Sequence, residues 1–245
     1  MNDRRLALIT GGTKGLGLAV ARVLLAADFN VVLTYGADSE RAAQVKRSLG
    51  VEFPLASVKA ICADVADIAS IDKIVNHFND ENASLDAVVL NAGLTSRGSF
   101  EDLKLDDWER VLRANLTYPT FLLQRLLPRI NRGGAVVFTG SMLGMDPHSM
   151  SLSYGVTKAA THALVKNLVK FLSPRLIRVN AVAPGFVDTE WQKSKPTEIR
   201  DSINSKIALG RFAEPEEIAQ IYLTLIDNTY LNGEVVRIDG GYSYR

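Results

Sequence analysis

Leu6-Ala7-Leu8-Ile9-Thr10-Gly11-Gly12-Thr13-Lys14-Gly15-Leu16-Gly17 decides the fold. It opens on an unbroken apolar run, turns through closely spaced glycines, and leads into Leu18, Val20, Val23, Leu24 and Leu25, which recur with helical spacing. The order is strand, glycine turn, helix. With no Cβ in the way, the spacing G-x-x-x-G-x-G lets a pyrophosphate approach the free N–H groups of a helix N-terminus. A P-loop is excluded, because G-x-x-x-x-G-K-[ST] is absent. A glycine turn without a ligand is the competing reading, weakened by the strand before it and the helix after it.

The same alternation runs outward along the chain. Val31 to Leu33, Val58 to Ala63, Ala87 to Leu90, Ala135 to Ser141, Ile177 to Ala183 and Val235 to Ile238 read as further strands. Between them lie helical stretches: Arg41 to Leu49, Ile68 to Phe78, Asp106 to Ile130 (interrupted, if anywhere, at Pro119), one through Tyr154 and Leu172, and Glu216 to Ile226. Continuously apolar strands alternating with helices predict an α/β protein: one Rossmann-type domain over residues 1–245, with a doubly wound parallel sheet of about seven strands and helices on both faces. In such sheets ligands collect beyond the carboxyl ends of the strands, where Gly11, Asp64, Asn91 and Ser141 fall. The polar, mixed stretch from Phe186 to about Gly210, with Trp191 and Pro196, follows the hinge Pro184-Gly185 and reads as a substrate lid.

Composition narrows the function classes. Across 245 residues, 28 basic and 27 acidic side chains leave a net charge of +1, so no bulk field favours nucleic acid or a membrane surface. Cys62 is the only cysteine, which excludes an intrachain disulfide and fits a cytoplasmic location. The apolar run after Arg5 is too short for a signal peptide, and no later stretch approaches a membrane span. His77, His148 and His162 are scattered without carboxylate or cysteine neighbours at ligand spacing, so no metal site is expected.

Tyr154 and Lys158 stand at i and i+4 of a helical stretch and so share a face. A phenol titrates near 10, so ionising it at neutral pH requires roughly 4 kcal/mol, part of which a neighbouring ammonium can supply. A partly exposed tyrosine beside a solvated lysine is the bland alternative.

Together, Thr10-Gly11-x-x-x-Gly15-x-Gly17, Asp64-Val65, Asn91-Ala92-Gly93, Asn115, Ser141, Tyr154-x-x-x-Lys158, Pro184-Gly185 with Thr189, and Asp239-Gly240-Gly241 resemble the short-chain dehydrogenase/reductase family over essentially the whole chain. The resemblance implies a catalytic set of Asn115, Ser141, Tyr154 and Lys158. Tyr154 would exchange a proton with a carbonyl oxygen, and Ser141 would bond the same oxygen. Lys158 would lower the phenol's pKa and hold the cofactor ribose, and Asn115 would place a relay water. It further implies a dinucleotide lined by Gly11, Thr13, Lys14, Gly15, Leu16, Gly17, Tyr35, Asp64, Val65, Asn91, Ala92, Gly93, Pro184, Gly185, Val187 and Thr189, besides Tyr154 and Lys158.

The second strand ends in Thr34-Tyr35-Gly36, without the acid that binds a ribose 2′-OH; Asp38 comes late. Lys14, and more weakly Arg41, can pair with a 2′-phosphate, so NADP(H) is favoured over NAD(H). Within the family the chain most resembles 3-oxoacyl-[acyl-carrier-protein] reductases, through phrases such as Leu209-Gly210-Arg211-Phe212-Ala213-Glu214-Pro215. An acyl-carrier-bound or small carbonyl substrate follows, as does a homotetramer built on the helices of Asn115 and Tyr154, with Ala159, Ala160 and Ala163 permitting close approach.

Arg125, Arg129 and Arg132, at i, i+4 and i+7, read either as a basic stripe for an acidic carrier or as a solvated face, with Arg175 and Arg178 elsewhere on the chain. Met142, Met145, His148 and Met150 depart from the reductase pattern on the substrate side. That keeps open a reductase or dehydrogenase of another ketone, alcohol or sugar; a silent cofactor sensor is the remaining alternative.

Overall fold

The computed structural model describes residues 4–147, 151–193 and 195–244. Its strands are β1 (Arg5–Ile9), β2 (Phe29–Tyr35), β3 (Val58–Cys62), β4 (Leu85–Leu90), β5 (Ile130–Thr139), β6 (Arg178–Pro184) and β7 (Val235–Ile238). All pair in parallel, in the order β3-β2-β1-β4-β5-β6-β7. The chain winds outward from β1 to β3, then crosses back to β4 on the other side of β1. Connections on the two sides of the β1/β4 pair therefore leave in opposite directions, which opens a crevice at the carboxyl ends of these strands.

The helices are α1 (Gly15–Ala26), α2 (Ser39–Glu52), α3 (Ile71–Asp80), α4 (Leu105–Leu112), α5 (Tyr118–Leu126), α6 (Leu152–Leu172), α7 (Glu190–Lys193), α8 (Thr197–Asn204) and α9 (Pro215–Asp227). Strand β1 illustrates why both faces need cover. Leu8 enters one core with Val88, Val136, Leu122 and Val165, under α3, α5 and α6, whereas Ala7 and Ile9 enter the other with Val20, Leu24, Val89 and Ile218, under α1, α2 and α9. Fully burying each Leu- or Val-sized side chain contributes about 1.5–3 kcal/mol, so neither face is stable bare.

Two boundaries differ from the sequence expectation. The stretch from Asp106 to Ile130 is not one helix: a π-helical turn over Arg113–Thr117 separates α4 from α5. This interruption falls one turn before Pro119 because the bond that a proline cannot make is to the carbonyl four residues back, here that of Asn115. The fifth strand begins at Ile130 rather than Ala135. It carries Gly133, with φ +86, and Gly134 inside it, and a register shift lies opposite them between Leu85 and Ala87. The segment after Pro184-Gly185 folds into the short helices α7 and α8.

Candidate active site

Ser141 lies two residues beyond the end of β5, at the cap of a 3-10 turn over Met142–Gly144. This turn sits directly on α6: a Cβ at Gly144 would stand 2.6 Å from the carbonyl carbon of Lys158, so only glycine permits the approach. The packing brings the Ser141 hydroxyl, which accepts Leu143 N at 3.2 Å, close enough to the Tyr154 phenol to favour its ionised form. His162, one turn past Lys158 on α6, accepts the Ser141 backbone N–H at 3.4 Å through Nε2. Burial, followed by Lys158, Lys166 and Arg237, pushes His162 down to about 4, so the ring stays neutral and keeps an acceptor nitrogen.

Tyr154 and Lys158 do share one face of α6, and the Lys158 ammonium stands 5.4 Å from the phenol ring centroid. Lys158 is only 4% exposed, and its Nζ donates to the Thr139 carbonyl at 2.6 Å. Burial pushes it down to about 8. The depressed phenol expected from this neighbour is not found. Burial pushes Tyr154 up to about 12, with the Ser141 hydrogen bond pulling the other way. Desolvation outweighs the ammonium because the charge lies beside the ring face rather than in a bond to the phenolic oxygen.

Asn115 lies in the π-helical turn, and its side chain closes a reciprocal pair with the backbone of Leu94: Leu94 N donates to Oδ1 at 2.7 Å and Nδ2 donates to Leu94 O at 2.9 Å. Its second amide hydrogen goes to Thr157 Oγ1 at 3.0 Å, so both side-chain donors are spent on holding the chain leaving β4 against α6. A Cβ on Gly93 would stand 3.0 Å from Asn115 Oδ1 and 3.9 Å from Lys158 Nζ, which puts this loop beside the lysine.

The expected cofactor-lining residues all lie along the carboxyl edge of the sheet: Gly11, Thr13, Lys14, Gly15, Leu16 and Gly17 between β1 and α1, Tyr35 ending β2, Asp64 and Val65 after β3, Asn91, Ala92 and Gly93 after β4, and Pro184, Gly185, Val187 and Thr189 at and after β6. They fit a dinucleotide pyrophosphate. Helix α1 opens with no side-chain cap and no acidic residue in its first turn, leaving its N–H groups available. Gly17 packs so tightly that a Cβ would lie 2.3 Å from Gly11 O.

Several contacts around the site were not anticipated. Thr10 Oγ1 accepts the backbone N–H groups of Asn91 and Ala92 at 2.9 and 3.0 Å, tying β1 to β4 at the switch point. The motif Thr10-Gly11 was the only sequence signal for it. Thr139 receives Lys158 through its carbonyl, while its hydroxyl lies 2.6 Å from the Tyr222 phenol of α9. Trp191 of α7 stands with its ring 6.1 Å from that of Tyr154.

The basic stripe does not exist as such. Arg125 is paired with Asp72 and Arg129 with Asn79 and Asn82, while Arg132 lies in β5, because the helix ends before it. Arg178 is 8% exposed and donates to the carbonyls of Leu225 and Ile226 at the end of α9 and of Leu231 just beyond it; Arg175 bonds Leu127 O at 3.1 Å. On the substrate side Met142 is buried, and Met145 Sδ meets Arg237 Nε at 3.2 Å; His148 and Met150 lie outside the described residues.

The family model described as enoyl-(acyl carrier protein) reductase matches residues 11–243. The chain is 35% identical to a 3-oxoacyl-[acyl-carrier-protein] reductase of Aquifex aeolicus, with 97% of this chain and 96% of the relative covered. It is 30% identical to a meso-2,3-butanediol dehydrogenase of Serratia marcescens, over 98% of this chain and 94% of the relative. A short chain dehydrogenase of Burkholderia cenocepacia solved in complex with NADP superposes with a TM-score of 0.91 at 31% identity, covering 98% of each chain.

Proposed function

From the premise that the chain belongs to the short-chain dehydrogenase/reductase family and is an oxidoreductase, we propose that it reduces a carbonyl to a secondary alcohol with NADP(H), its substrate a 3-oxoacyl thioester. The observation that carries this reading is a Tyr154 phenol that desolvation keeps protonated, set beside the Ser141 hydroxyl and with the Lys158 ammonium 5.4 Å from its ring. A protonated phenol is the form a proton donor needs at neutral pH. The hydride is supplied by the nicotinamide when it is bound. Tyr154 donates the proton to the carbonyl oxygen, a contribution of order 10²–10⁴ in rate, and Ser141 bonds the same oxygen as charge develops on it. Lys158, fixed by Thr139 beside the phenol, would hold the ribose hydroxyls of the bound cofactor. Asn115 holds Leu94 and Thr157 in place around them.

NADP(H) is supported by Lys14, which is exposed before Gly15 and has no ion pair among the described residues. Arg41, the second candidate, is already bonded to Glu190 at 2.5 Å. The thioester reading rests on the carrier-protein reductases among the relatives. A smaller ketone is the second reading, favoured by the engagement of Arg125 and Arg129 with α3 and the loop after it, and by Trp191 narrowing the approach to Tyr154. The complete Asn115, Ser141, Tyr154 and Lys158 set weighs against a silent sensor. We further propose a cytoplasmic homotetramer in which α5 and α6 pair with a second copy through exposed Phe121, Leu152 and Val156. Light scattering that finds a monomer would remove that assembly.

The test is loss of reduced-cofactor absorbance with NADPH or NADH, offered an acetoacetyl thioester and, separately, a small diketone. Rapid loss confined to NADPH with the thioester supports the whole reading. Turnover of the diketone alone transfers it to the second reading, and turnover with NADH alone removes the cofactor assignment.

A further inference from the structure

Thr189, Glu190 and Trp191 are consecutive, yet they touch three different elements at the mouth of the site. Thr189 lies against the start of α1, with its Cγ2 3.3 Å from where a Cβ on Gly15 would stand. Trp191 faces the Tyr154 ring on α6. Between them, Glu190 Oε2 accepts from Arg41 Nη1 at 2.5 Å, an ion pair spanning 149 residues of sequence that joins α7 to the first turn of α2. Arg41 also pairs with Asp38 through Nε at 3.4 Å, and Asp38 caps α2 by accepting the Arg41 backbone N–H at 2.9 Å. The ion pair therefore ties the end of the crevice where β2 finishes to the segment covering the catalytic phenol.

Charge at this point leaves no room for another anion. Arg41 supplies one positive charge against the two carboxylates of Asp38 and Glu190. A phosphate monoester adds about −1.5 to −2 at neutral pH, so drawing one onto Arg41 forces a carboxylate away. Asp38 is held by its capping bond to α2. Glu190 rides on a helix of four residues and is the group that can yield.

We propose that Glu190 is a specificity-determining residue that competes with the 2′-phosphate of a dinucleotide for Arg41, so that binding of the phosphate unclasps the segment carrying Trp191 from the mouth of the site. This deepens the NADP(H) reading given above and rests on it for its physiological ligand. The competition is reciprocal by linkage: whatever the clasp takes from phosphate affinity, phosphate takes from the clasp. An exposed ion pair contributes about 0.4–1 kcal/mol when well formed, so the expected effect is about two- to fivefold in affinity.

The experiment uses the full chain in a Trp108→Phe background, which leaves Trp191 as the only tryptophan, and two redox-inert probes, 2′,5′-ADP and 5′-ADP. Calorimetry should find Glu190→Gln tightening 2′,5′-ADP by about two- to fivefold while leaving 5′-ADP unchanged. The gain should vanish when Arg41→Gln is added. Trp191 emission should move on adding 2′,5′-ADP to the chain with Glu190 intact, towards the spectrum of the Glu190→Gln variant, and stay put with 5′-ADP. Equal gains for both probes, or a Trp191 spectrum indifferent to both the substitution and 2′,5′-ADP, would overturn the proposal. If the chain with Glu190 intact binds both probes equally and the variant gains only for 2′,5′-ADP, the NADP(H) preference falls and the competition stands. If the preference for 2′,5′-ADP is present and the variant gains nothing, the competition falls alone.

Discussion

Replacing Gly144 with alanine tests whether the close seating of the Ser141 turn on α6 sets the chemistry. The added Cβ would lie 2.6 Å from the carbonyl carbon of Lys158, 2.7 Å from the Ala159 nitrogen and 2.8 Å from His162 Cε1. The first two are backbone atoms in the interior of a 21-residue helix and cannot move aside cheaply. Carbon atoms rest about 3.5–4.0 Å apart, so the turn must withdraw by roughly 1 Å. Backbone strain adds nothing, since Gly144 is not among the residues with positive φ. Ser141 heads the same turn and would withdraw with it from Tyr154. Overpacking of this kind costs about 1–3 kcal/mol. A misplacement of about 1 Å at reacting groups costs on the order of 10²-fold in rate. Steady-state kinetics and a cofactor-binding titration on the variant should therefore find kcat lowered about 10²-fold, with dinucleotide affinity kept because the glycine turn and α1 are untouched. A lowered melting temperature with kcat close to that of the parent chain would refute the argument, because the turn would then have moved without consequence for the proton donor.

Two further outcomes follow from buried charge. His162 is pushed down to about 4 in the folded chain, chiefly by burial, from an ordinary 6.5. Below 6.5 the unfolded chain takes up a proton that the folded chain refuses, so the stability in question is present above pH 6.5 and is lost as pH falls towards 4. After discounting for partial solvation this loss is about 2 kcal/mol; Glu replacement would add a charge, so His162→Gln is the variant of choice, and urea midpoints between pH 7 and 4.5 should fall less steeply in it than in the parent. Parallel pH profiles would reject that assignment. Arg178→Met should cost about 3 kcal/mol, because three carbonyls near the end of α9 lose their donor in a buried setting, while kcat is unchanged; a loss well under 1 kcal/mol in urea melts would mean those bonds are replaced by solvent.

What the sequence disclosed depended on range. The glycine turn and the apolar runs act within a few positions of themselves, so the alternation of strands and helices, the parallel sheet and the positions of Gly11, Asp64, Asn91 and Ser141 beyond strand ends were legible. Arg125, Arg129 and Arg132 were misread because their helical spacing presumed a helix that the structure ends at Leu126, short of Arg132, which lies in β5. Asn115 was identified by its offset, but its bonds to Leu94 and Thr157 depend on elements 21 and 42 residues away. Thr139 and Tyr222 carried no local signal, and Trp191 was legible only as part of the expected lid, because what distinguishes each is a neighbour brought in by the crossing of distant strands and helices.

The Tyr154 and Lys158 pair shows why spacing alone could not fix the sign of an electrostatic effect. An i, i+4 separation guarantees a shared face, and with it the proximity that favours a phenolate. It carries no information about how much water the face retains. Here α6 buries the lysine and half-buries the phenol, and desolvation acts on each against its charged form: the phenol rises to about 12 and the ammonium falls to about 8. Both shifts move the pair towards neutrality, so the proton stays on the tyrosine. The Ser141 hydroxyl beside that phenol then serves less to ionise it than to aim it, because two neighbouring hydroxyls fix where a carbonyl oxygen must sit to be bonded by both. The geometry that the sequence spacing implied is thus realised, with the lysine acting through position and the burial of α6 deciding which proton is available.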